Sequence, residues 1–336
     1  MIPTDLPTIW AFIIAFAVFV YVVMDGFDLG LGILFPLFPQ KADRDVIMNS
    51  VAPVWDGNET WLVLGGGGMM AAFPLAYAVL MPALYTPMIA MLLGLVFRGV
   101  AFEFRWRTTQ SKRNRWDIAF AGGSLLATLA QGIALGAILQ GVHVEGRHYA
   151  GGWWDWLTPF SILTGVALVV GYALLGATWL VMKTEGALRN RAYHLSWLLL
   201  IAMLAGIGAV SIATPFLSVQ YTQRWFAWPN VILTAPVPIA VAGVTVLLLR
   251  SLANKYDYQP FFLTLALFAL SYAGLGISMY PYIVPQSITI WQAASPENSQ
   301  LFMLFGVAVL VPLILGYTGW AYWVFRGKVK PESGYH

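Results

Sequence analysis

Asp25 and Asp28, in DGFDLGLG, and Asp56 and Glu59, in WDGNETW, interrupt two long apolar runs of the chain. The members of each pair are three residues apart, so on a helix they share a face and can point together into a bundle or a wet cavity. A third run holds Arg98, the one cation candidate for burial. Ionisable groups inside a membrane are expensive and usually functional. Four acids against one guanidinium in a low-dielectric region cannot all be ionised without a large cost, so at least one is expected to hold a proton near neutral pH. A cluster of that kind takes up and passes on protons. A plainer reading stands beside it: Arg98 pairs with Asp28 or Asp56 to lock three helices together, while nearby glycines allow close packing.

The elements that must carry these charges follow from composition. Of 336 residues, 59% are hydrophobic and 10% charged, and the mean hydropathy is +0.73, which excludes a water-soluble globule. Spanning-length apolar runs lie at about 8–35, 51–73, 78–101, 118–139, 160–182, 195–215, 231–249, 260–280 and 301–325, predicting an all-α integral membrane protein of nine transmembrane helices. No Lys or Arg precedes the first run, so it lacks the basic start of a cleaved signal and reads as a retained helix. Of the 18 Lys and Arg, Arg98 lies in a span, Arg147 and Arg224 fall on one side, and the other fifteen, Arg105 and Lys330 among them, fall on the alternate connections and the tail. This positive-inside bias predicts the N-terminus out and the C-terminus in, which requires an odd number of spans. A rise of about 1.5 Å per residue puts all five charged residues in the cytoplasmic half. Trp153, Trp154, Trp156, Trp225, Trp228 and Trp291 on the outer side fit an interfacial aromatic belt.

No connection is long enough for a soluble domain, so residues 1–336 read as a single polytopic membrane domain. The net charge of +3 gives no case for nucleic acid. Zero cysteines exclude disulfides, thiolate zinc sites, iron–sulfur clusters and a cysteine nucleophile. The four histidines, His143, His148, His194 and His336, all lie outside the interior of a span, so no haem is expected on a histidine of this chain. Met24 and Met279 read as packing. His143, Glu145 and His148 lack a nearby third nitrogen ligand and read as solvated, giving no metal site. The tetrad Gly65 to Gly68 has no following Lys and reads as helix packing or a bend rather than a phosphate loop.

Longer segments carry a family likeness. DGFDLGLG at Asp25–Gly32, NSVAPVWDGNETWL at Asn49–Leu62, FRGVAFEFR at Phe97–Arg105, NRWD at Asn114–Asp117, MYPYIVP at Met279–Pro285 and PLILGYTGWAYWVFRGKV at Pro312–Val329 resemble subunit II of the cytochrome bd-type quinol oxidases, which include the cyanide-insensitive oxidases. The resemblance spans nearly the whole chain and matches the family's charged positions at Asp25, Asp28, Asp56 and Arg98; Glu59 stands where relatives can carry Gln, and Glu103 where some carry Asp. It implies two four-helix bundles plus a peripheral ninth helix, in the bacterial cytoplasmic (inner) membrane. It implies a pseudo-symmetric heterodimer with a larger subunit I that holds two haem b and one haem d, while this chain ligates no cofactor. The complex would reduce oxygen to water with electrons from quinol, conserving energy without proton pumping. On this reading Asp56 and Glu59 lie near the mouth of a cytoplasmic proton path, Asp25 and Asp28 continue it, Arg98 holds its geometry, and Trp55, Asn58, Trp61 and Glu103 support it. A small single-span subunit, a bound quinone and membrane lipids are further possible partners. Two other readings stay open, a proton- or sodium-coupled carrier and a purely structural partner subunit.

Overall fold

The computed structural model describes residues 5–329; Lys330 and His336 lie outside them. The helices are α1 (Leu6–Leu34), α2 (Lys41–Val51), α3 (Trp55–Ala72), α4 (Pro74–Ala83), α5 (Tyr85–Arg107), α6 (Arg113–Gln140), α7 (Pro159–Lys183), α8 (Gly186–Ala213), α9 (Val219–Phe226), α10 (Asn230–Thr234), α11 (Pro236–Ala253), α12 (Gln259–Met279), α13 (Ile290–Ala293) and α14 (Glu297–Val324). Two short hairpins, β1 (Val144–Glu145) with β2 (His148–Tyr149) and β3 (Tyr282–Val284) with β4 (Ile288–Thr289), lie in connections. Among the described residues eight helical segments are long and apolar enough to cross a membrane, or nine when the bent pair α3–α4 is one span.

Local chemistry sets the helix ends. The Asp5 carboxylate accepts from the Thr8 amide at the start of α1, and Thr158 and Ser161 cap each other at the start of α7. The chain turns by 120° between α3 and α4, where Pro74 lacks the amide proton that would continue the helix. This corrects the second and third spans: the second ends at Ala72, residues 74–83 form a helix across its end, and the third begins at Tyr85 rather than near 78.

Helices α1, α3, α5 and α6 form one bundle, and α7, α8, α11 and α12 a second; α1 and α6 both pack on α7, and α14 lies against α1 and α3 from outside. Phe27 of α1 stacks on Trp179 of α7 with ring centres 4.1 Å apart, and Phe261 of α12 meets both edge-on. Two backbone contacts set the spacing. A Cβ on Gly30 would lie 1.8 Å from the Tyr172 carbonyl oxygen, and one on Gly123 would lie 2.5 Å from the Gly94 carbonyl oxygen and 2.9 Å from the Arg98 nitrogen. Small residues therefore let α1 touch α7, and α5 touch α6, at backbone distance. In the glycine tetrad, Gly65 and Gly68 face Val18 and Ile14 of α1, while Gly66 and Gly67 face open space.

A second charged group ties α2 to this bundle. Arg105 donates to Asp117 Oδ1 at 2.6 Å and to Asp45 Oδ1 at 2.7 Å, and Arg44 donates to Asp117 Oδ2 at 2.9 Å and to the Phe38 carbonyl at 2.7 Å. Arg98 is therefore not the one buried cation: Arg105 is 1% exposed, because α5 continues six residues beyond the expected end at 101 and carries Arg105 into contact with α2 and α6.

Beyond α14 the chain folds over the ends of the second bundle. Lys183 donates to the Phe325 carbonyl at 2.5 Å, the Val329 amide donates back to the Lys183 carbonyl at 2.9 Å, and Lys328 reaches Asp257 at 2.7 Å. Lys328 and Asp257 are about one-quarter exposed, so Lys328→Met is expected to cost below about 1 kcal/mol, read as a small fall in the thermal midpoint of the purified protein.

Candidate site at the head of the first bundle

Arg98 is the hub of the site, and its guanidinium is fully buried. Nη1 stands 3.0 Å from Asp25 Oδ1 and donates to Glu59 Oε1 at 2.7 Å; Nη2 stands 2.5 Å from Asp28 Oδ2. Asp25 and Asp28 are also fully buried, whereas the Glu59 side chain is 26% exposed. Three carboxylates from α1 and α3 thus share one fork from α5, and of the three only Glu59 reaches the surface.

The helices dictate this geometry. Asp25 and Asp28 lie on one face of α1 three residues apart, and Gly30 and Gly32 further along the same segment face the backbone of α7 and Ser124 of α6. The close contact of α5 with α6 at Gly94 and Gly123 fixes the backbone of Arg98 itself. The Arg98 guanidinium also lies 5.8 Å from the Phe102 ring centre, and Phe102 stacks on Trp55 of α3, closing that side with aromatic carbon.

Asp56 does not join the cluster. It lies in the first turn of α3, is exposed, and makes no ion pair with Arg98. Three residues on a helix turn by about 300°, leaving Asp56 and Glu59 about 60° apart in phase, and only Glu59 is turned toward α5. Glu103 is also outside the site: it pairs with Arg107 one turn along the exposed face of α5 at 3.2 Å. Trp61 is buried with its ring edge-on to Phe16 of α1, away from the guanidinium. Asn58 is a structural bridge, donating to the Met24 carbonyl at 3.2 Å and accepting from the Tyr322 hydroxyl at 2.8 Å.

Four side chains around the cluster escape sequence reasoning. Tyr322 of α14 reaches Asn58, and Tyr21 of α1, Gln131 of α6 and Tyr172 of α7 form a hydrogen-bonded group one turn along α1 from Asp25. Uncharged polar residues singly placed in apolar helices give little signal; Gln131, the one amide in the middle of its span, was the most visible of them.

The histidines among the described residues stand at the surface. His143 and His148 stand at the exposed hairpin β1–β2 and His194 on an exposed face of α8, with no imidazole aimed into either bundle among the described residues. His143 Nε2 instead lies 3.3 Å from Glu145 Oε1. Met24 and Met279 are half-buried in α1 and α12.

Comparison with known proteins gives a consistent result. A family model described as cytochrome bd terminal oxidase subunit II matches residues 6–325. The chain is 32% identical to "Cytochrome bd-I ubiquinol oxidase subunit 2" of Escherichia coli (strain K12), over 97% of this chain and 95% of that protein. It is 28% identical to "Cytochrome bd ubiquinol oxidase subunit 2" of Bacillus subtilis (strain 168), over 98% of each. Among solved structures, a chain of the bd oxidase from Geobacillus thermodenitrificans superposes with a TM-score of 0.74 at 19% identity, over 96% of this chain and 99% of that one, a likeness of fold.

Proposed function

This chain belongs to the cytochrome bd terminal oxidase subunit II family, and from that premise we propose that it supplies a proton path to the oxidase through the Arg98 cluster. As a family member it is one subunit of a quinol:oxygen oxidoreductase of the bacterial inner membrane, working with subunit I. The family assignment takes the place of the carrier reading.

The finer features of the proposal are these. Residues 1–336 form one polytopic membrane domain with the N-terminus out and the C-terminus in, as the distribution of Lys and Arg favours. Subunit I holds two haem b and one haem d, and this chain ligates none, which the exposed positions of His143, His148 and His194 support. The haems supply electron transfer and oxygen reduction; this chain's residues hold and move protons. The exposed apolar faces of α5 and α14 are available to lipid, to a bound quinone tail or to a small single-span subunit.

The observation that carries the proton reading is the sharing of one buried guanidinium by three carboxylates, of which Glu59 is partly exposed and Asp25 and Asp28 are fully buried. Asp56, exposed at the start of α3, stands at the mouth. Glu59 exchanges protons with the water side, Asp28 and Asp25 carry the path inward, and Arg98 holds them in reach of one another. Glu59→Gln keeps the shape and removes the exchangeable proton. It is expected to lower oxygen consumption per haem about tenfold or more with the reduced-minus-oxidised spectrum unchanged, while Asp56→Asn lowers it by less. Unchanged turnover of the Glu59→Gln complex, fully assembled, would sink the reading.

A further inference from the structure

Where the start of α8 meets the end of α11, a cavity of about 310 Å³ opens between the two helices, lined by Asn190, Tyr193, His194, Trp197, Leu252 and Lys255. Its shape follows from the packing of the second bundle, in which α8 rests on α7 and α11 on α12 while α8 and α11 barely touch each other. Asn190, His194 and Trp197 recur at the spacing of one helix face, running inward from the helix end. Lys255 stands just beyond the end of α11, with φ at 55°, the left-handed region that usually falls to glycine or asparagine after a helix. Its backbone is held there on both sides: the Lys255 amide donates to the Leu252 carbonyl at 3.2 Å, and Arg189 donates to the Lys255 carbonyl at 3.2 Å.

The polar rim of this cavity has no partner inside the chain. The side chains of Asn190, His194 and Lys255 are exposed and make no hydrogen bond or ion pair among the described residues. No lining residue is acidic, and the acid nearest to Lys255 in sequence, Asp257, is taken by Arg189 and Lys328. An ammonium, an imidazole and an amide therefore offer N–H donors at the water-facing end. Farther in, Trp197 and Leu252 are apolar, and the helices continue with exposed Leu198 and Ile201 on α8 and Leu247 on α11. Arg191 and Arg250 add positive charge to the same helix ends. Basic pockets between membrane helices, with an apolar track leading away from them, suit lipids whose headgroups are anionic. We propose that this groove holds an anionic phospholipid, its phosphate on Lys255, His194 and Asn190 and an acyl chain along Trp197. A zwitterionic lipid would bring its own cation toward Lys255, and a free phosphate would leave the apolar half of the groove unused. The site lies in the second bundle, away from the Arg98 cluster, and the inference does not depend on the proton-path reading.

The test uses the intact oxidase complex in mild detergent, incubated with phosphatidylglycerol or phosphatidylcholine carrying the same photoactivatable acyl chain. After irradiation and digestion, labelled peptides are quantified by mass spectrometry. Phosphatidylglycerol is expected to label α8 and α11 at and inward of Trp197, about fivefold or more above phosphatidylcholine. Lys255→Gln is expected to lower that label about fivefold, and His194→Leu and Asn190→Leu to lower it by less. All three side chains are exposed, so these variants keep the fold; Lys112→Gln, at an exposed lysine between α5 and α6, is the control and should leave the label unchanged. Equal labelling by the two lipids, or a parent-like label in Lys255→Gln, would overturn the proposal by reducing the groove to bare acyl contact. No label on α8 or α11 would overturn it by showing the groove covered by protein. Displacement of the label by inorganic phosphate, and not by sodium chloride of equal ionic strength, would give the rim to a free anion and overturn it as well.

Discussion

Arg98→Met is expected to abolish recovery of a stable, active oxidase. The substitution keeps the length of the side chain and removes the one cation that Asp25, Asp28 and Glu59 share. Taking one partner from a buried ion pair typically costs about 3–5 kcal/mol, because the charge left behind stays buried. Two fully buried carboxylates are left here, which puts the effect at the upper end. The check is the thermal midpoint and haem content of the affinity-purified complex. A companion variant, Arg98→Met with Asp25→Asn and Asp28→Asn, removes the orphaned charges along with the cation. It is expected to recover assembly and not turnover, since neutral replacement of a buried ionic group is often tolerated by the fold. Recovery of both would make the cluster a replaceable packing element, and an Arg98→Met complex with the parent midpoint would contradict its placement at the hub.

Gly30→Ala is the second large effect. The added methyl would sit 1.8 Å from the Tyr172 carbonyl oxygen, and the obstacle is backbone, so no rotamer change clears it. Either α1 moves away from α7 or α7 bends, and both disturb the stack of Phe27 on Trp179 and the positions of Asp25 and Asp28 on the same helix. Overpacking of this kind costs about 1–3 kcal/mol and sometimes more; with helix backbones in contact the upper figure applies. Gly122→Ala on α6 is the control, because a Cβ there meets nothing within 4 Å, and it is expected to leave the midpoint unchanged or slightly raised. Equal midpoints for the two variants would refute the close α1–α7 contact.

The charged residues were legible in the sequence because a carboxylate in an apolar run is too costly to be accidental, and Asp25, Asp28, Glu59 and Arg98 do meet. Which acid of the second pair turns inward was not legible. Spacing puts Asp56 and Glu59 on roughly one face, and the choice between them depends on where α3 starts and how it is rotated, which the break after the short α2 and the sharp bend at Pro74 decide. Arg105 read as a loop cation because hydropathy falls before the helix ends; its partners Asp45 and Asp117 lie on two other elements, a pairing that only the fold brings about. Tyr322 and Tyr21 were missed since tyrosine in a membrane helix is ordinary. The sense of the helix order was legible from span lengths, whereas the separate helix α4 was not, because it is apolar enough to pass for the start of the next span.

Helix α14 presents one face outward along almost its whole length, and hydrogen bonds fasten it near its two ends. At one end the Trp10 indole donates to the Gln300 carbonyl and the Ser295 amide to the Ala72 carbonyl; at the other Tyr322 bonds to Asn58 and Lys183 to the Phe325 carbonyl. The consequence concerns biosynthesis. Asn58 waits for a phenol made 264 residues later, on the order of tens of seconds at ordinary elongation rates. Until then the wall of the ion cluster stands open on that side and the Lys183 ammonium lacks its carbonyl. A ribosome that stops short of Tyr322 releases a copy whose most expensive charges are incompletely enclosed, so unfinished chains differ from finished ones in stability at the very residues on which turnover depends.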